Sequence, residues 1–178
     1  MSHDRPVKLY IFDADGTLRY TTVPGQPCPN KPGEWALLPG VKERLARIDW
    51  GPDGARFGVA SNQGGVGMGY MRKEAAFQLL AETVEAAFGR PAPPGSIEMC
   101  TCAPYVNCDC RKPKPGMLLR LMHRFNAQRR DTLFVGDMDR DEEAARRAGV
   151  RFMWARDFFG WDAPQPGGSC DFTQPTFD

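Results

Sequence analysis

The sequence predicts an α/β fold: a Rossmann-like parallel sheet with helices on both faces. Two observations carry that expectation. Short apolar, β-rich runs recur along the chain, and the stretches between them space their apolar residues three or four apart. Three of the runs also end in polar loops, as strands do when their carboxyl ends meet at one edge of a parallel sheet. At 178 residues, 42% hydrophobic and 25% charged, the chain suits a single domain, residues 1–178, with an ordinary core.

The elements follow in order. "VKLYIF", Val7 to Phe12, is a buried strand that stops at Asp13. Arg19 to Gly40 reads as loop, with five prolines and three glycines. Val41, Leu45 and Ile48 give "VKERLARI" helical spacing, and "RFGVA", Arg56 to Ala60, is a second strand. From Arg72 to Phe88, the apolar residues Phe77, Leu80, Val84 and Phe88 predict one buried helix face. "SIEM", Ser96 to Met99, is a strand entering a cysteine-rich loop. "GMLLRLMHRF" is a helix burying Leu118, Leu121, Met122 and Phe125. "TLFVG" is a strand ending at Asp137, "DEEAARRAG" a short helix closed by Gly149, and "RFMW" a last strand. The tail, residues 157–178, is rich in Pro, Gly and aromatics and reads as irregular.

A formal net charge of +1 offers no basic excess for nucleic acid and no charged tail. The apolar run near the start is too short and too soon acidic for a signal peptide, and no stretch is long enough to span a membrane. The expectation is a cytoplasmic protein. Thiols stay reduced there, so clustered cysteines read as ligands.

Three strand exits carry chemistry. "DADGT" sets Asp13 and Asp15 two apart, and Asp137 adds an acidic oxygen from another strand. Close carboxylates repel unless a cation separates them or one is protonated; hard oxygen donors of this kind suit Mg²⁺. An acidic turn beside a helix cap has the same composition. Ser61 and Asn62, before two glycines, offer a hydroxyl and open backbone N–H groups for phosphate, or form a plain Gly-rich turn. Lys112 supplies a positive charge in a Pro-rich loop.

Taken in order, FDADGTL, VASNQG, RKPKPG and VGDMDRD, spanning Asp13 to Asp141, resemble the four motifs of the haloacid dehalogenase superfamily. The resemblance implies a phosphatase in which Asp13 is the nucleophile and Asp15 the general acid and base. It implies that Ser61 binds and Lys112 neutralises the phosphoryl oxygens. Mg²⁺ would be held by Asp13, Asp15 through its backbone carbonyl, and Asp137, with Asp141 supporting the loop. The gaps between motifs are already filled by helices, strands and loops, so the fold would be capless.

Cys100, Cys102, Cys108 and Cys110 can supply four thiolates to one tetrahedral Zn²⁺; a disulfide pair or incidental thiols are the other readings. "CDCRKPKPG" is similar to the branch of D-glycero-D-manno-heptose 1,7-bisphosphate and histidinol-phosphate phosphatases, with Cys102 where that branch has His. That similarity implies a structural zinc loop over residues 100–110 that orients Arg111 and Lys112. Cys28 and Cys170 read as free thiols. The implied substrate is a small phosphorylated sugar or polyol, most like a heptose 1,7-bisphosphate, with Arg111 as a distal contact.

Two departures hold other substrates open. Ala14 stands where the branch has Arg, and "TTVPGQPCPNKPGEW" is somewhat like the loop of polynucleotide 3′-phosphatases. A nucleic acid 3′ end and histidinol phosphate therefore stay as alternatives. So does a zinc protein that binds phosphate without turnover, which the joint presence of Asp13 and Asp15 disfavours.

Overall fold

The computed structural model describes residues 5–166. In chain order the elements are β1 (Leu9–Phe12), β2 (Arg19–Thr21), β3 (Trp35–Leu37), α1 (Val41–Leu45), β4 (Arg56–Asn62), α2 (Gly64–Gly67) and α3 (Lys73–Phe88). Then come β5 (Ile97–Cys100), α4 (Gly116–Arg124), β6 (Thr132–Gly136), α5 (Asp139–Ala148), β7 (Arg151–Trp154) and α6 (Ala155–Phe159). Five strands form one sheet in the order β5-β4-β1-β6-β7. Every pairing in it is parallel, with Ile11 opposite both Gly58 and Phe134. The expected doubly covered parallel sheet is therefore present.

The alternation along β1 divides the core. Leu9 and Ile11 face Met117, Leu118 and Leu121 of α4 and Ala144 and Ala148 of α5. Tyr10 and Phe12 face the other side, with Leu80, Val84 and Phe88 of α3. There Phe57 stacks on Phe88 at 3.8 Å between ring centroids, and Trp50 packs edge-on against both. Phe12, wholly buried, contributes about 1.5–3 kcal/mol by leaving water. The chain moves from β1 out to β5 on one side and then returns to β6 on the other. This reversal opens a crevice at the carboxyl ends beside β1, where ligands of such sheets bind.

Four details depart from the sequence reading. The loop from Arg19 to Gly40 contains an antiparallel hairpin, β2–β3, with Tyr20 opposite Ala36. Its strands are three residues each, too short to announce themselves among prolines. Phe77 is 46% exposed, because the buried stripe of α3 runs through small residues, Ala76, Thr83 and Ala87, beside Leu80 and Val84. Asp157 to Phe159 are helical, closed by Gly160 at φ 74°, where the tail was expected to be irregular. Cys28 is disulfide-bonded rather than free, and it is buried at 1% exposure. Which sulfurs approach each other is set by the fold and leaves no trace in spacing. Cys170 lies outside the described residues.

Candidate functional site

β1 and β6 end side by side and deliver Asp13 and Asp137 to the crevice. Gly16, at φ 87°, turns the chain away after the first carboxylate. Thr17 ties the two acids together: its hydroxyl lies 3.2 Å from Asp13 Oδ2 and 3.3 Å from Asp137 Oδ1. Asp141, in the first turn of α5, completes a group of three carboxylates whose oxygens lie within 4.8 Å of one another. Its Oδ2 accepts from the backbone N–H groups of Asp137, at 3.2 Å, and Met138, at 3.1 Å. Gly136 has no room for a β-carbon because the Asp141 side chain leans on it. Asp141 thus shapes the loop that carries Asp137.

One lysine serves this group. Lys112, 2% exposed, donates from Nζ to Asp13 Oδ1 and to the carbonyl of Ala60, both at 2.8 Å, and pairs with Asp141 Oδ1 at 2.8 Å. The Asn62 side chain fixes the lysine's backbone: Oδ1 accepts from Lys112 N at 3.0 Å, and Nδ2 donates to Lys112 O at 3.1 Å. Asn62 was expected to offer phosphate its backbone N–H; its side chain has the further task of fixing the backbone of the cation.

Three carboxylates against one ammonium leave the pocket short of positive charge. Burial, then the neighbouring Asp13 carboxylate, pushes Asp137 up to about 9. Burial also raises Asp13, against the lowering pull of Lys112. Lys112 is itself pushed up, because its two carboxylate partners outweigh the cost of burial. The proton that Asp137 keeps at neutral pH is what a divalent cation would displace. Oxygen donors of this kind fit Mg²⁺, and Asp13, Asp137 and Asp141 are the side chains placed to hold it.

Asp15 faces elsewhere, and its carboxylate is not among the clustered oxygens. Arg19 grips both of its oxygens, Nε to Oδ1 at 2.8 Å and a terminal nitrogen to Oδ2 at 3.3 Å. Another Arg19 nitrogen donates to Thr83 Oγ1 of α3 at 3.0 Å. Gln63 Nε2 bridges Asp15 Oδ2, at 3.1 Å, and Ser61 Oγ, at 2.8 Å. Because Ser61 accepts from Gln63, its hydroxyl hydrogen remains available to donate. Arg19, at 1% exposure, and Gln63 were missed in the sequence. Arg19 looks like any surface charge next to a strand-like run, and only the fold reveals that it points inward.

The four cysteines converge as expected. Three sulfur pairs, Cys100–Cys108, Cys102–Cys110 and Cys108–Cys110, lie 3.7, 3.9 and 3.6 Å apart. The edge of a ZnS₄ tetrahedron with bonds near 2.3 Å is about 3.8 Å. The fourth contact, Cys110 to Cys100 at 2.8 Å, is shorter and must open to admit a metal. Burial pushes the Cys100 thiol up. A hydrogen bond with Cys108, followed by burial, takes Cys102 to about 11. Burial works against ionising Cys108, but hydrogen bonds from Cys102 and from the Arg111 and Cys110 backbone outweigh it and hold that thiol near 6. A soft, closed set of four sulfurs suits Zn²⁺. Arg111, half-buried, borders a hollow of about 370 Å³ together with Tyr105, Lys112, Lys114 and Arg147.

Comparison with known proteins follows this geometry. A HAD-hydrolase-like family model matches residues 109–157. The D-glycero-beta-D-manno-heptose-1,7-bisphosphate 7-phosphatase of Pseudomonas putida is 31% identical over 145 residues, 82% of this chain and 80% of that one. The enzyme of that name from Neisseria meningitidis is 31% identical over 80% of this chain and 74% of its own. The crystal structure of D,D-heptose 1.7-bisphosphate phosphatase from B. bronchiseptica, complexed with magnesium and phosphate, superposes with a TM-score of 0.69. Its identity is 27%, over 92% of this chain and 91% of that one. Among the described residues no helix is long and apolar enough to cross a membrane.

Proposed function

We propose, from the fact that this chain belongs to the heptose bisphosphate phosphatases among the HAD-like hydrolases, that it removes one phosphate from a heptose 1,7-bisphosphate. The observation that carries the reading is the buried Lys112 ammonium bridging Asp13 and Asp141 beside Asp137. That arrangement suits a phosphate dianion entering with a divalent metal.

Asp13 acts as nucleophile. Its carboxylate oxygen attacks phosphorus while the bond to the sugar oxygen breaks, giving an aspartyl-phosphate. Asp15 gives its proton to the departing oxygen and then takes one from the water that hydrolyses the aspartyl-phosphate. Ser61 donates to a phosphoryl oxygen, and Lys112 neutralises the charge that gathers there. Asp13, Asp137 and the Asp15 backbone carbonyl would hold Mg²⁺, which when bound would supply positive charge to the transferred phosphate. The four cysteines would hold a structural Zn²⁺ and would leave it no open position, so that the loop they close would orient Arg111 and Lys112.

Asp13→Asn abolishes phosphate release while the protein stays folded; wild-type turnover by a clean Asp13→Asn preparation refutes the assignment. A 3′-phosphorylated oligonucleotide and histidinol phosphate belong in the same screen. Higher kcat/KM on the oligonucleotide, falling steeply with salt, replaces the sugar reading with the nucleic acid one. Metal analysis is expected to find about one zinc per chain. Magnesium carries its own signature. An acid raised by folding stabilises the protein fully below its ordinary value of 3.8, and that contribution is lost as the pH rises to about 9. The Mg²⁺-free protein therefore loses stability over that window, and added Mg²⁺ raises Tm more at pH 9 than at pH 5. An equal rise at both pH values removes Asp137 from the metal site.

A further inference from the structure

A row of polar side chains runs from α3 to the crevice: Thr83, Arg19, Asp15, Gln63 and Ser61, none more than 4% exposed. At that burial their hydrogen bonds go to protein atoms and are not exchanged with bulk water. The direction of each bond then follows from which groups can donate and which can accept. Thr83 spends its hydroxyl hydrogen on Leu79 O, at 2.7 Å, so it accepts from the Arg19 terminal nitrogen at 3.0 Å. Arg19 has donors and no acceptor, so both Asp15 oxygens accept from it. An amide oxygen turned towards Asp15 would meet an accepting oxygen. Gln63 therefore presents its nitrogen there, Nε2 to Oδ2 at 3.1 Å. That nitrogen carries a second hydrogen, which goes to Ser61 Oγ at 2.8 Å. Ser61 keeps its own hydrogen, and that hydrogen cannot point at Gln63.

We infer that Gln63 is a positioning residue that makes Ser61 a dedicated donor to phosphate, and that Arg19, held by Thr83, fixes the sense in which Gln63 works. The inference rests on the phosphatase reading above for the phosphate. It adds why the serine donates and which side chains outside the acid cluster make it do so. A serine hydroxyl left to itself both donates and accepts and must be turned when the ligand arrives. One whose lone pair is already engaged meets the phosphate with its hydrogen aimed, and no reorganisation is required at that moment. Glutamine is the residue type this asks for, because one amide nitrogen serves two acceptors. Glutamate in its place would set a carboxylate against Asp15 and draw the Ser61 hydrogen away from the phosphate. The backbone of Gln63 is fixed independently: its N–H donates to Cys100 O at 2.7 Å, where β5 ends. The amide is thus held at both ends, by the sheet behind it and by Asp15 and Ser61 in front.

The test is a double-mutant cycle on the whole chain, read as binding and not as turnover. Wild type, Gln63→Met, Ser61→Ala and the double variant are titrated calorimetrically with inorganic phosphate in the presence of Mg²⁺. Methionine fills similar space and stays neutral but donates nothing. Gln63→Met is expected to raise Kd about fivefold where Ser61 is present, and by less than about twofold in the Ser61→Ala background. A Kd for Gln63→Met within about twofold of wild type overturns the inference. So does a loss of the same size with and without Ser61, because a side chain that only props the loop acts whether or not the hydroxyl exists. Thr83→Val tests the row from its far end, and decides the matter where Gln63→Met does not fold. It removes the outer anchor of Arg19, and should raise Kd about threefold with Ser61 present and not in Ser61→Ala; no change, or an equal change in both, overturns the inference. The cycle needs no turnover. A wild type that binds phosphate but cleaves no ester refutes the phosphatase reading while the cycle still decides this one, and a wild type that binds no phosphate overturns this one directly.

Discussion

Two loops reach the acidic edge of the sheet, one after β1 and one after β5, and they are ordered by different means. The first is held by strand pairing, a buried ion pair and the disulfide at Cys28. The β2–β3 pairing closes it, Leu38 N donates to Leu18 O at 2.9 Å, and Arg19 drives a buried guanidinium under it onto Asp15. The second has no internal strand. Four sulfurs gather over residues 100–110, and Gly67 of α2 comes so close to the backbone of Thr101 and Ala103 that a methyl group would collide. One loop spreads its stabilising groups over hydrogen bonds, an ion pair and a disulfide; the other gathers four sulfurs at a single point, where we propose that a metal binds. The first should therefore respond to loss of a buried ion pair, the second to loss of metal.

The largest effect is expected at Arg19. Replacing it with Met leaves Asp15 buried without its cation, at a cost of about 3–5 kcal/mol. Both side chains are at most 5% exposed, so solvent does little to soften that cost. Tm should fall on the order of 10 °C in a chain of this size. Arg19→Met together with Asp15→Asn should recover much of the loss, since the orphaned charge goes with it. A Tm for Arg19→Met within a degree or two of wild type shows that the first loop stands without its ion pair, and the contrast fails on that side.

Next in size is the sulfur loop. Cys108→Ser removes one of four ligands, and kcat/KM should fall about tenfold or more as Arg111 and Lys112 lose their frame. Zinc content should fall in parallel. Hydrogen exchange should quicken over residues 101–110 and stay unchanged over β2 and β3. Protection of the cysteine loop that survives complete zinc removal means that protein contacts alone hold it, and the two loops are then ordered alike.

The same contrast explains what was legible in the sequence. A metal loop advertises itself because its ligands are rare residues packed closely along the chain. Asp13 and Asp137 were readable because each sits at a strand exit inside a short motif, and Lys112 because it stands in the Pro-rich motif before α4. The sheet was readable because Leu9, Ile11 and Phe12, or Phe134 and Val135, are uninterrupted apolar runs buried on both faces. The first loop was opaque for the opposite reasons. Its strands are three residues long, its key cation resembles a surface charge, and the partners of Arg19 include Thr83, sixty-four residues away. Gln63 was hidden similarly: nothing local says that its amide bridges Asp15 and Ser61.

The smallest expected effect is at Glu34, which organises the tip of the first loop. Its Oε2 accepts from Gln26 Nε2 at 2.8 Å and from the backbone N–H groups of Asn30, at 2.8 Å, and Lys31, at 3.1 Å. The Gln26 hydrogen bond, then that from Asn30, holds this carboxyl below its ordinary value of 4.5. A carboxylate lowered by folding contributes stability above the ordinary value and loses it as the pH falls through the folded one. Glu34→Gln should therefore lower Tm slightly at pH 7 and match wild type in acid, well below pH 4.5. Acid also attacks the second loop, by protonating thiolates and releasing zinc, so the two responses must be separated. A chelator does so: with zinc stripped at pH 7, the Glu34→Gln difference should persist unchanged, because Glu34 bonds Gln26, Asn30 and Lys31 and none of the four clustered cysteines. A difference that disappears on zinc removal means that the loops are coupled across the site, and the division between them no longer holds.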